Sequence, residues 1–301
     1  MSSIAYVTDS NMIEYHRLCG NRRFNFWRLS SRTAFSDFGK GDLLFFYARG
    51  RHHRRRGFVG YAHFESARRL SLKQMWKEYG SLNGFETRED LEEAIQRASR
   101  DGMIPEKMSC LLLKDAVFFN EPVFPKDVGL EVTEKLESYM YPDRMHSDMT
   151  VRILRRARRA GIDTWASSQT SEPEYLFELD EIREILAMIR KEMGRDPWSA
   201  EEKRKARKLA APLLEKEGFE LIRGSIADLL KAGEDGTVIA LPFAASSSNE
   251  TERIKDLLGK ITWYRTRCRE YGLPGKDLSF QVLCQEKEGR KEFLLEAVKH
   301  V

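Results

Sequence analysis

The sequence predicts an α+β protein of two domains, and three observations carry that prediction. Residues 24–64 hold two short aromatic-rich runs with strand character, separated by a loop of Arg, His and Gly. Apolar residues at helical spacing follow at 71–100. From residue 198 onward, helical and strand-like segments succeed one another in the order of a compact α/β unit. At 301 residues the chain exceeds a typical single core and fits two. We place a first domain at 1–145, a helical linker at 146–196 and a small α/β domain at 197–301.

Ile4-Ala5-Tyr6-Val7 is a short β-type run that stops at Thr8-Asp9-Ser10-Asn11, residue types that favour turns and helix N-caps. A short helix then spans 12–18. A strand ending in small polar side chains presents hydroxyl, carboxylate and backbone N–H groups at the rim of a sheet, where a base edge can be read. The plainer alternative is that these residues only cap the helix. Residues 25–29 give a second strand, on which Phe26 and Trp27 take opposite faces because side chains alternate. Trp27 is therefore either core or part of a cage completed by Phe46, Tyr47 and Tyr61 on neighbouring strands.

Gly41-Asp42 is a turn pair that opens the strand 43–47, and 58–64 is its partner. The segment between them, Gly50 to Gly57, reads GRHHRRRG. Five arginines lie between Arg49 and Arg56, and they cannot be buried without partners, so they meet water or an anion. We assign Arg51, Arg54, Arg55 and Arg56 to phosphate. From Arg17 to Lys77 there are fifteen Lys or Arg against three acids, Asp37, Asp42 and Glu65, a concentrated positive field suited to a polyanion. His52 and His53 have no third ligand at metal spacing, and the four cysteines are scattered, so neither a metal site nor a disulfide framework is expected, and no cofactor.

Leu72, Met75, Trp76 and Tyr79 fall at helical spacing until Gly80 ends the helix, and Asn83-Gly84 turns the chain. Thr87 then caps a second helix, with Asp90 three residues later. A strand resumes over 110–119, followed by an irregular proline-bounded stretch over 121–125. Residues 149–160 form a helix on which Arg152, Arg155, Arg156 and Arg159 share one face, either a further nucleic-acid surface or a solvated one. A polar linker over 167–173 and an amphipathic helix over 178–193 follow.

No apolar run approaches the roughly 20 residues that a membrane-spanning helix needs, and the N-terminus has neither the basic start nor the apolar centre of a secretory signal. A cytoplasmic protein without a membrane partner is expected.

With these residues laid out, residues 1–145 resemble the N-terminal PUA-like domain, of the EVE and YTH type, found on HNH-linked restriction endonucleases. The likeness runs through Val7-Thr8-Asp9, Asn25-Phe26-Trp27, Gly41-Asp42-Leu43-Leu44-Phe45-Phe46 and Gly57-Phe58-Val59-Gly60-Tyr61. It continues through Trp76-Lys77-Glu78-Tyr79-Gly80 with Asn83-Gly84, and Ser109-Cys110-Leu111-Leu112-Leu113 leading to Val117-Phe118-Phe119. The resemblance implies a small, strongly curved β-barrel flanked by helices that takes one modified base into an aromatic pocket. Thr8, Asp9 and Ser10 would read the base edge, and Trp27 with Phe46 or Tyr61 would stack on it. DNA carrying a modified base, flipped out of the duplex, is the implied partner, in a prokaryotic restriction or antiviral defence setting. The chain departs from that pattern in its longer, more basic arginine loop. No His-Asn-His constellation follows residue 145.

The last third reads as helix 201–217, strands 219–223 and 237–243, helix 250–271, strand 278–284 and helix 290–298. That order is similar, in topology only, to a degenerate PD-(D/E)xK nuclease core. The strand that should carry Glu-x-Lys instead reads Ala240-Leu241-Pro242. Asp228, Asp235 and Glu250, with Lys255 or Lys260, are the substitutes for a metal-dependent restriction-type nuclease, our alternative reading. The favoured reading is a binding module whose C-terminal domain engages a second copy or an effector protein, with Trp263, Tyr264 and Tyr271 serving as core or interface.

Overall fold

The structure is a computed structural model that describes residues 3–29, 35–50, 55–133, 135–163, 173–233, 236–246, 248–273 and 278–284. Arg51, Arg54, Asp235 and the helix expected over 290–298 lie outside the described residues, as does most of the polar segment over 167–173. The chain is mixed α+β and divides into two compact units, Met1–Phe177 and Glu178–Val301.

The first unit runs β1 (Ile4–Val7), α1 (Ser10–Leu18), β2 (Phe24–Arg28), β3 (Leu43–Arg49), β4 (Arg56–Leu70), α2 (Leu72–Tyr79) and α3 (Arg88–Ala98), then β5 (Met108–Val123), β6 (Tyr139–Met140), α4 (Pro142–Met145) and α5 (Met149–Ala160). Six strands form one sheet in the order β2-β5-β4-β3-β1-β6, with β1 parallel to β3 and every other pair antiparallel. The closed barrel that the resemblance implies is not formed. Among the described residues no ladder joins β2 to β6, so the sheet ends in two edges.

Continuous apolar content in β3 follows from burial on both faces of this sheet. Leu43, Phe45 and Tyr47 pack on one side with Phe58, Tyr61 and Phe119 and with Met149, Ile153, Leu154 and Ala157 of α5. Leu44 and Phe46 pack on the other with Phe24, Phe26, Leu111, Phe118 and with Met12 and Ile13 of α1. Gly60 lets the strands close up here: a Cβ at that position would lie 2.4 Å from the Val117 carbonyl oxygen. The proline-bounded stretch expected to be irregular instead continues β5, because Val123 pairs with Phe58. Capping follows the sequence, with Asp9 accepting from the backbone N–H of Asn11 and Met12, and Thr87 from that of Asp90.

Within this core, His16 is fully buried and stacks on Phe24 with ring centroids 3.9 Å apart. Burial pushes its imidazole down to about 3. The unfolded chain takes up a proton near the usual 6.5, whereas the folded chain refuses it until about 3. This contribution is therefore complete above pH 6.5 and lost as pH falls, by up to about 1.4 kcal/mol per pH unit. Going from pH 6.5 to 5 should cost the wild type about 2 kcal/mol more than it costs His16→Phe, read by urea unfolding. Equal losses in the two proteins would show that His16 is not the group responsible.

α6 (Pro173–Met193) crosses the division between the units, and the second unit continues with α7 (Ala200–Lys216), β7 (Glu220–Leu221), β8 (Leu229–Gly233), β9 (Gly236–Pro242), α8 (Glu250–Glu270) and β10 (Leu278–Leu283). Its sheet has the order β10-β9-β8-β7, with β10 parallel to β9 and the rest antiparallel. Ala206, Ala210 and Leu213 of α7 pack on Leu229, Ala240 and Leu283 of this sheet. Sequence reading misses β8, which carries only two apolar residues of size, Leu229 and Leu230, before the exposed Lys231.

Candidate nucleic-acid interface

β3 ends at Arg49, and the first turn of α1 lies against that end: the Ser10 hydroxyl donates to the Arg49 carbonyl oxygen at 3.2 Å. Arg49 is exposed and borders two grooves. One, of about 640 Å³, is bounded by Tyr47, Arg49, Arg55, Arg56 and Lys126, with Glu131 as its acid. Arg56 sits opposite Arg49 in the ladder and donates through one guanidinium nitrogen to the Leu136 carbonyl at 2.9 Å, which holds it at the groove. Burial raises the Tyr47 pKa, so its ring faces the groove as a neutral phenol. The other groove, of about 760 Å³, is bounded by Ser10, Asn11, Arg17, Arg49, Phe118 and Asn120. Arg17 is already committed, to Glu14 at 2.7 Å and to Asp163.

The structure separates the residues assigned to a base cage. Phe46 and Tyr61 are both wholly buried, on opposite faces of the sheet. Register is the cause. Tyr61 lies opposite Phe45 and so shares its face, while Phe46 lies opposite Gly60. Trp27 is half-buried on β2, its indole N–H donating to the Asn83 carbonyl at 3.1 Å and its ring packed toward α2 and α3. Thr8 spends its hydroxyl on the Tyr6 carbonyl at 2.7 Å, and Asp9 caps α1. Of the three residues assigned to the base edge, Ser10 is the one that lines either of these two grooves.

The arginine assignment fares differently. Arg55 and Arg56 both line the smaller groove. The same groove also takes Arg49 and Lys126, which the phosphate assignment leaves out. Arg49 belongs to the same arginine run, so local charge density could have found it, but Lys126 comes from a 3₁₀ turn, Pro125–Val128, after β5 and carries no local signal. The basic face of α5 is largely paired: Arg152 with Asp148 at 2.8 Å and Arg156 with Asp127 at 3.7 Å, and Arg155 is also partnered.

In the second unit, Asp228 and Lys260 do meet. Lys260 donates to Asp228 at 2.8 Å and to Asp196 at 3.0 Å, and Arg190 pairs with Asp196 and lies 3.6 Å from Asp228. Tyr264 donates to Asp228 at 3.3 Å, and its pKa is raised by burial and by that carboxylate. Lys255 is exposed and Glu250 stands in the first turn of α8. Tyr264 is core, whereas Trp263 is 45% exposed.

No family model matches the chain, and no curated protein matches it. Solved structures do. The crystal structure of ASCH from Zymomonas mobilis is similar at 13% identity and a TM-score of 0.35, over 50% of this chain and 94% of that chain. A tyrosine-to-phenylalanine variant of that protein is similar at 12% identity and a TM-score of 0.32, over 47% of this chain and 90% of its own. Among the described residues, no helix is long and apolar enough to cross a membrane.

Proposed function

We propose that the Met1–Phe177 unit is a PUA-like domain that binds nucleic acid through the two grooves beside Arg49. The observation that carries this reading is the convergence of Arg49, Arg55, Arg56 and Lys126 on one groove, with a second groove sharing Arg49 beside it. Cations on phosphate supply affinity without sequence information, whereas hydroxyl and amide groups read base edges. Ser10, Asn11 and Asn120 are the groups of the second kind.

In its finer form the proposal is DNA carrying a modified base that is flipped into the larger groove, in a prokaryotic defence setting within the cytoplasm. Flipping costs on the order of a few kcal/mol. With Phe46 and Tyr61 in the core, phosphate contacts must offset that cost, and three arginines at about 1.5–3 kcal/mol per charge-assisted bond suffice. The C-terminal domain would then engage a second copy or an effector protein.

The experiment is an affinity panel of modified and unmodified single and double strands at fixed salt. Tightest binding to a modified duplex, weakened by Asn120→Ala on that strand alone, is the expected result. Equal affinity across the panel would overturn the modified-base reading and leave backbone binding.

A second reading, metal-dependent cleavage by the second unit, is favoured by the element order α7-β7-β8-β9-α8-β10 and by the Asp228–Lys260 contact. The donors do not fit a divalent metal. Asp228 and Asp196 already accept from Lys260 and from Arg190 or Tyr264, and no group of three His, Cys, Asp or Glu that could hold a metal occurs among the described residues.

A further inference from the structure

The second unit contains a cavity of about 410 Å³ between the end of α6, the start of α7 and α8, walled by Trp198, Trp263, Pro242, Phe243 and Leu257. Its volume lies within the range of small-molecule sites, roughly 300–1,000 Å³. The charges around it decide what it could hold. Each lining carboxylate already has a partner: Asp196 pairs with Arg190 and Lys260, Asp256 with Arg253, which Glu202 shares, and Glu192 with Arg267, which Glu270 shares, and it also accepts from the Tyr271 hydroxyl. Arg195, exposed at the rim, has no ion pair among the described residues. Lys260 places two bonds on aspartates, and an ammonium has three donors, so one remains.

Two indoles are the material of a cage for a cation, but each already carries one. Lys260 lies 5.3 Å from the Trp198 ring centroid and Arg267 lies 5.8 Å from that of Trp263. The protein's own cations thus already occupy those ring faces, whereas an anion would meet Arg195 and the spare donor of Lys260. Apolar, flat walls beside a cationic rim suit a ring that stacks and a phosphate that follows it.

We propose that this cavity binds a flat-ring phosphate of the nucleoside monophosphate class, the ring against Trp263 and the phosphate on Arg195 and Lys260. The site is independent of the nucleic-acid reading of the first unit. The same chemistry could be a free nucleotide or one unit of a single strand.

The test is titration of the full chain with adenosine monophosphate, followed by indole fluorescence and calorimetry. The background is Arg49→Glu, Arg55→Glu, Arg56→Glu, chosen to weaken binding by the first unit. Saturable quenching is expected, with adenosine and inorganic phosphate each bound at least about tenfold more weakly. Trp263→Ala and Arg195→Glu should each lower affinity by about tenfold, and both side chains are exposed enough to leave folding intact. No saturable binding, adenosine bound as tightly as its phosphate, or a titration indifferent to both substitutions would overturn the proposal. Competition by a 12-nucleotide single strand would assign the site to a strand, and its absence to a free nucleotide; either upholds the site.

Discussion

Replacing Arg49, Arg55 and Arg56 together by glutamate is expected to lower the affinity of the full chain for DNA by roughly 100-fold or more at low salt, whatever the base sequence. The three side chains border one groove, and Arg49 and Arg56 face each other across the β3–β4 ladder, so a single backbone could meet all three. Each phosphate neutralised releases about 0.9 counterions from a duplex, so the slope of log affinity against log salt should flatten by about 2 to 3. The same reversal on Arg152 and Arg156 should do far less, since those cations are already paired with Asp148 and Asp127. Filter-binding or fluorescence anisotropy at several salt concentrations measures both quantities. An unchanged salt slope in the triple variant would remove the groove from the interface and with it the proposed function.

Asp228→Asn is expected to destabilise the second unit by about 3 kcal/mol, the lower end of the cost of breaking a buried ion pair. Asp228 is wholly buried and answers to Lys260, Arg190 and Tyr264 at once. Asparagine keeps the shape and one acceptor but removes the charge, leaving Arg190 and Lys260 to share Asp196. Urea unfolding read by a probe in this unit gives the size of the loss. A variant as stable as the wild type, but altered in a cleavage assay with Mg²⁺, would instead make Asp228 a working catalytic group and revive the nuclease reading.

Much of the fold is legible from local pattern. Helix starts at Asp9, Ser71, Thr87 and Ser199 all carry side chains that accept from their own first turn, a contact between near neighbours in sequence. The strands over 43–47 and 58–64 stand out for the same reason, as dense apolar runs between turn residues. What fails is short or weakly apolar: β6 has two residues and depends on β1, far along the chain, and β8 offers only Leu229 and Leu230 before Lys231. The candidate site divides in the same way. Charge density marks the arginine run, while Lys126 and Asn120 reach their grooves only because β5 returns alongside β4.

Composition and spacing thus settle the α+β class, the helix caps and the local concentration of arginines, because each depends on residues within a turn or two of one another. The fate of the aromatic residues is decided by the folded chain. A period-two pattern says that Phe45 and Phe46 take opposite faces but not which face is empty, and here both faces are filled, one by α5 and the other by α1. The pairing of Tyr61 with Phe45 rather than Phe46 then puts the two intended cage walls on opposite sides of a sheet. In the second unit likewise, Asp228 and Lys260 are ordinary charges in sequence and become a buried pair only when α8 packs against the start of β8, where low dielectric makes each depend on the other.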